Sequence, residues 1–170
     1  MKLSGTYQIN LEKQKVWEAL NDPEILKKSI PGCEEFKKNS ETEFTATATN
    51  KIGPFNASFT GDIELKDLNP PNSYKITGSG SSPVGFANGE ATVTLEDFDG
   101  GTKRNYVVEA NVGGKIAQVG SRLIDMTAKK MADIFFNKFS ELISLQNVLN
   151  EINRILSNKF RKTKGMESIK

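Results

Sequence analysis

Between Phe44 and Val112 the chain alternates in strict period two, and after Gly113-Gly114 the period changes to that of a helix. Period-two alternation marks antiparallel strands with one wet face and one covered face. The covered face reads Phe44, Ala46, Ala48; Ala57, Phe59, Gly61, Ile63, Leu65; Tyr74, Ile76, Gly78, Gly80; Ala87, Gly89, Ala91, Val93, Leu95; and Tyr106, Val108, Ala110, Val112. About half of these positions are glycine or alanine, whereas the opposite face carries Thr, Ser, Asn and charged residues. Interiors pack to crystal density. A face this thin is therefore bent, approached closely by another element, or bordered by a cavity. Bending accounts for glycines in strands. It accounts poorly for Ala46, Ala48, Ala57, Ala87, Ala91 and Ala110, so a ligand-sized cavity is the preferred expectation over a fully packed core.

The rest of the chain supplies a cover for that face. Leu3 to Ile9 reads as a first strand, followed by a short helix with Val16, Trp17 and Leu20 on one side. Asp22-Pro23 starts a second short helix, with Asp as the cap and Pro at the first helical position. Ile30-Pro31-Gly32 turns the chain back into six strand segments, near Cys33–Lys38, Phe44–Thr49, Asn56–Leu68, Tyr74–Ser81, Asn88–Phe98 and Lys103–Val112. From Ile116 to Ile143 an apolar stripe predicts one long amphipathic helix that includes Gly120. Gly120 is costly inside a helix, and close approach to the sheet is its simplest reason. The predicted class is α+β: a curved antiparallel sheet of about seven strands wrapped around a long C-terminal helix, with two short helices after strand one. This is a helix-grip arrangement, because sheet and helix must each bury what the other exposes.

Composition removes several kinds of chemistry. The chain of 170 residues contains no histidine and one cysteine, Cys33. Histidine is the commonest general base and transition-metal ligand, so His-based triads and zinc, haem or redox-metal sites have no plausible ligand set. A lone Cys33 forms no internal disulfide, is read as a structural thiol, and fits a reducing cytoplasm. The net charge of +2 does not suggest a nucleic-acid binder. No run of 18 apolar residues predicts a membrane span, and the N-terminus lacks a signal core.

Five stretches carry a resemblance to a known family: VWEALNDPEILKKSIPGCEEF (16–36), KIGPFNASFTGDIEL (51–65), Pro70-Pro71, VGFANGEATVTL (84–95) and GGKIAQVGSRLIDMTAKKMADIFF (113–136). Together they resemble the carbon monoxide dehydrogenase G-subunit family, within the START-like, Bet v 1-like superfamily. The resemblance implies a non-catalytic cytoplasmic protein that accompanies molybdenum hydroxylases such as carbon monoxide dehydrogenase. It also implies membrane recruitment of such an oxidoreductase and binding of a lipophilic molecule, a menaquinone or another lipid. No covalent or metal cofactor is implied; a bound quinone or lipid is the expected occupant.

The expected cavity wall comprises Phe44, Ala46, Ala57, Phe59, Ile76, Gly78, Gly89, Ala91, Tyr106, Val108, Leu123 and Met126. Ile30, Pro31 and Trp17 are expected at its mouth, with a plain hydrophobic anchor as the alternative for Trp17. Met131, Phe135 and Phe136 read more simply as core. Arg122 reads as a surface ion-pair partner or a group that steadies a ligand oxygen. Residues 1–143 form the helix-grip domain in this reading, and 144–170 an amphipathic basic tail. In that tail Leu145, Val148, Leu149, Ile152, Ile155, Leu156 and Phe160 continue a stripe, and Arg154, Lys159, Arg161, Lys162 and Lys164 add charge. Such a helix lies on an anionic membrane, packs on another protein, or frays. The reading is thus a cytoplasmic carrier or adaptor, peripheral at the inner membrane face. The alternatives are a cyclase or aromatase using Tyr74 or Tyr106, and a scaffold with a vestigial cavity. The ligand, the partner enzyme and the oligomeric state cannot be read from these residues.

Overall fold

The computed structural model describes residues 1–167; residues 168–170, the last three of the basic tail, lie outside the described residues. The elements run β1 (Lys2–Ile9), α1 (Lys13–Leu20), α2 (Pro23–Ser29), β2 (Cys33–Lys38), β3 (Glu43–Ile52), β4 (Phe55–Asn69), β5 (Ser73–Ser82), β6 (Gly85–Phe98), β7 (Gly101–Gly113) and α3 (Ser121–Glu167). All seven strands form one antiparallel sheet in the order β1-β7-β6-β5-β4-β3-β2. The alternation predicted this class, and the strands keep the expected phase, β2 with the expected bounds and the others running longer.

Local chemistry accounts for the punctuation. The Asp22 side chain accepts from the Glu24 amide at 3.0 Å, and Pro23 takes the first turn of α2, as the sequence predicts. Asp99 and Gly100 both adopt positive φ at the tight β6–β7 turn, where the strand twist favours such a pair. One expectation needs correction. Ile116 and Val119 are not part of the long helix but of a separate 3-10 turn, Lys115–Val119. Gly120 follows it at φ +93° with nothing within 4 Å of where a Cβ would stand. Its reason is therefore backbone conformation at the start of α3 rather than close approach to the sheet.

Four glycines of the sheet, Gly61, Gly78, Gly80 and Gly89, fall into two neighbouring cross-strand rows. One reads Ala46, Gly61, Gly80, Ala87 and the next Ile63, Gly78, Gly89, Ala110. At Gly61 a Cβ would lie 2.1 Å from the Ser79 carbonyl oxygen, and at Gly89 2.6 Å from that of Glu109. Side chains at these two positions would collide with the neighbouring strand, whereas at Gly78 and Gly80 a Cβ would meet ordinary contacts, at 3.8 and 3.6 Å.

Burial divides the concave side into two ends. Ile9, Val16, Trp17, Leu20, Phe44, Leu65, Tyr74, Val93, Leu95, Tyr106, Phe136, Phe139 and Ile143 form a continuous core where α1 and α3 meet the sheet. Along and beyond this glycine band, Ala46, Ala48, Phe59, Ala87 and Val112 point the same way but are only half-buried. The core is thus continuous at one end of the concave face and sparse at the other.

Candidate functional site: the sheet–helix cavity

Two lobes of one apolar space lie between the sheet and α3. The inner lobe, about 420 Å³, is walled on the sheet side by Leu3, Phe44, Ile63, Leu65, Tyr74, Ile76, Ala91, Val93, Arg104, Tyr106 and Val108. The outer lobe, about 470 Å³, is walled by Ala48, Asn50, Ile52, Phe59, Ala87, Val112 and Ile116. Ile30, Ala128, Met131, Ala132 and Phe135 belong to both lobes, so the lobes share a wall. These volumes are of the size that holds a small apolar ligand.

The helix side is as thin as the sheet side. Ala128 and Ala132, four residues apart, stand on one face of α3 between Ile124 and Phe135. Small residues on both opposing walls leave the space open. The sequence reading weighed only the large residues of α3; the Ala128–Ala132 spacing was the signal that could have placed its inner face.

Most of the expected sheet wall is present. Phe44, Ile76, Ala91, Tyr106 and Val108 line the inner lobe, and Phe59 lines the outer one. Ile30 and Pro31 lie at the outer lobe, held by an Asn50 Nδ2 hydrogen bond to the Pro31 carbonyl at 3.0 Å. Other expected residues stand elsewhere. Met126 is 60% exposed, because two residues of helix turn it about 200° from Ile124, which faces the cavity. Met131 is the methionine of the wall. Leu123 packs over the β3–β4 turn, close to Gly53. Gly78 and Gly89 stand side by side in one cross-strand row and line no part of either lobe, and neither do Ala46 or the buried Ala57. Trp17 is not at the mouth but in the closed core, edge-on to Tyr74 at 5.2 Å between centroids. Arg122 is exposed at the start of α3.

The sequence reading missed Arg104. It lies two residues before Tyr106 in β7, so the same alternation points it inward, and the structure buries it to 4% exposure in the inner lobe. Its guanidinium sits 4.2 Å from the Phe136 ring centroid and 5.7 Å from that of Phe135. Its Nε and Nη1 are buried without a hydrogen-bond acceptor. Burial pulls the guanidinium below its ordinary pKa, opposed by Tyr74, Tyr106 and Tyr7. Its polar neighbours are therefore phenols rather than carboxylates. Tyr74 is itself pushed up by burial, with Arg104 acting the other way. Tyr7 stacks on Phe136 at 4.0 Å and donates a short hydrogen bond to Asp133, which also meets Lys129 at 3.8 Å. Burial first, and then that bond, push the Tyr7 phenol up.

Elsewhere, burial pushes the Cys33 thiol up, which fits a structural role. Among the described residues no cluster of His, Cys, Asp or Glu could hold a metal ion. No described helix is long and apolar enough to cross a membrane.

A curved sheet gripping a long helix over an apolar cavity defines the helix-grip, Bet v 1-like class. Solved structures agree. Ara h 8.0201 superposes with a TM-score of 0.61 at 15% identity, covering 84% of this chain and 97% of its own. A protein of Mycobacterium smegmatis, Ms6760, gives 0.66 at 18% identity, with 85% and 92% covered. A conserved protein from Geobacillus kaustophilus is more similar: TM-score 0.81, 30% identity, and 85% and 95% covered. A comparison with curated proteins gives no match. Residues 5–144 match the CoxG family, the G-subunit family of carbon monoxide dehydrogenase, and the chain belongs to that family.

Proposed function

We propose that the protein is a non-catalytic carrier or adaptor. It holds a hydrophobic molecule, a lipid or quinone, between sheet and helix and links a molybdenum hydroxylase such as carbon monoxide dehydrogenase to the membrane. The observation that carries this reading is the two-lobed cavity with its almost wholly apolar wall. Each methylene moved there from water contributes about 0.8 kcal/mol, enough for a prenyl or acyl chain to bind by desolvation. Family membership supports the partnership with the oxidoreductase. The membrane step is supported by the C-terminal half of α3, whose exposed apolar stripe runs beside Arg154, Lys159, Arg161, Lys162 and Lys164.

Native mass spectrometry of gently purified protein, followed by solvent extraction, tests the carrier. The expected result is one lipid or quinone at near-stoichiometric amount. A protein that is empty as purified, and that takes up neither quinones, prenyl lipids nor fatty acids, would sink the reading.

A further inference from the structure

Among the described residues, the only charged side chain in the cavity wall is Arg104, beside the continuous core. Arg104 lies in the cross-strand row Tyr7, Arg104, Leu95, next to the continuous core. It belongs to the inner lobe alone, beside the buried Phe44, Leu65, Tyr74, Val93 and Tyr106, whereas Ala48, Phe59, Ala87 and Val112 of the outer lobe are half-buried. From Arg104 to Val112, a residue of the outer lobe, is eight positions of β7, about 27 Å at the rise of an antiparallel strand.

A buried guanidinium needs acceptors. Taking a charge and its N–H groups out of water without partners costs several kcal/mol. The faces of Phe136 and Phe135 offset part of that cost for the charge. They do nothing for the two donors, Nε and Nη1, which have no acceptor. Among the described residues Arg104 joins no ion pair, and the polar groups acting on it are phenols. The inner wall therefore holds a cation with no carboxylate partner, hydrogen-bonded to the Tyr74 phenol, whose Nε and Nη1 lie buried beside the apolar lobe with no acceptor in the protein.

We propose that Arg104 is the head-group receptor of the cavity. The ligand enters head first, its oxygen acceptor bonds Nε–H or Nη1–H of Arg104, and its apolar body extends past Met131 toward Ile30 and the outer lobe. The required chemistry is an apolar chain ending in a carboxylate or a carbonyl oxygen. This rests on the carrier reading and adds a polarity requirement to it. A hydrogen bond to a charged donor in such a site is worth on the order of ten- to a hundredfold in affinity.

The test uses three probes of matched chain length, dodecanoate, 2-tridecanone and dodecane, with the full chain and its Arg104→Met variant. Binding is read by thermal shift and native mass spectrometry. The wild type should bind at least one oxygen-bearing probe ten-fold or more tighter than dodecane, and Arg104→Met should erase that preference while keeping dodecane binding. Preference for dodecanoate over the ketone assigns an anionic head, and comparable binding of the two a neutral acceptor. Arg104→Lys, which keeps the charge but loses Nε, should retain part of the preference if the methionine variant does not fold. Equal binding of all three probes by the wild type, or a preference that survives Arg104→Met, overturns the head-group assignment and leaves the carrier standing. Failure of every probe to bind the wild type removes both.

Discussion

The two halves of α3 carry similar apolar stripes and meet different fates. From Ile124 to Ile143 the stripe lies over the concave sheet, with Phe136, Phe139 and Ile143 in the core and Ala128, Met131 and Phe135 on the cavity. From Leu145 to Phe160 the stripe continues, yet Leu145, Val148, Leu149, Ile152, Ile155, Leu156 and Phe160 are all exposed. The reason is length. A helix of 47 residues spans about 70 Å, whereas the longest strand, β4, has 15 residues and spans about 50 Å. The sheet runs out before the helix does. Among the last ties to the body is the hydrogen bond from Lys15 to Asn147 at 2.8 Å. The family match ends at residue 144, where the cover ends. An apolar stripe shows that a helix face needs a cover; the dimensions of the partner element decide how much of it receives one.

The largest effect should come from the same substitution made in both halves. Phe139 is fully buried and Phe160 is 70% exposed. Phe139→Ala should cost about 3–5 kcal/mol in chemical denaturation, through lost burial and the cavity left behind. Phe160→Ala should stay within about 0.5 kcal/mol of wild type. Comparable losses at both sites would show that the C-terminal half is covered in solution, by a second copy or by the body of the protein.

How far the sequence carried this comparison depends on which contacts are local. Strand phase was legible because side-chain direction alternates rigidly along a strand, and Phe44, Phe59, Ile76, Ala91, Tyr106 and Val108 consequently reach the cavity wall. Capping at Asp22-Pro23 was legible because it is settled within one turn. Met126 was misplaced because a stripe of large residues leaves the phase of a long helix loose; the small residues Ala128 and Ala132 fix it. Gly89 was assigned to the wall because a glycine leaves the same mark whether it opens a cavity or lets a neighbouring strand approach, and Gly78, which no strand approaches closely, has no such structural reason. Trp17 was placed at the mouth because nothing local shows that it meets Tyr74, 57 residues on. Arg104 was overlooked although its phase was plain. A lone charge on an apolar face reads as an error in the pattern until the fold shows it buried.

A second test asks what the bare stripe is for. Leu156→Glu with Phe160→Glu should lower affinity for vesicles of anionic lipid by more than tenfold, since two apolar contacts are lost and two like charges face the membrane. The melting temperature should hardly move, because neither position touches the core. Unchanged vesicle binding, together with a shift from dimer to monomer in sedimentation, would replace the membrane as occupant with a second copy.

The smallest effects probe the two ends of α3 with one change, glycine to alanine. Gly120 holds φ +93° at the entry, a conformation that L-residues adopt at a cost of about 1–3 kcal/mol. Gly120→Ala should therefore destabilise the whole domain by that order, because the covered half of α3 starts there and the core depends on its direction. Gly165 lies within the helix at the other end, where an added Cβ would meet nothing within 4 Å. There the same change should raise helix propensity by about 0.5–1 kcal/mol. It should deepen the far-UV helical signal while leaving the global unfolding midpoint in place. The distinction follows from cooperativity. Segments with few buried contacts open locally, at free energies well below that of global unfolding, and gains made there do not reach the core. If Gly165→Ala instead raises the global midpoint, the C-terminal half of α3 unfolds with the core, and its exposed stripe must be partnered in solution.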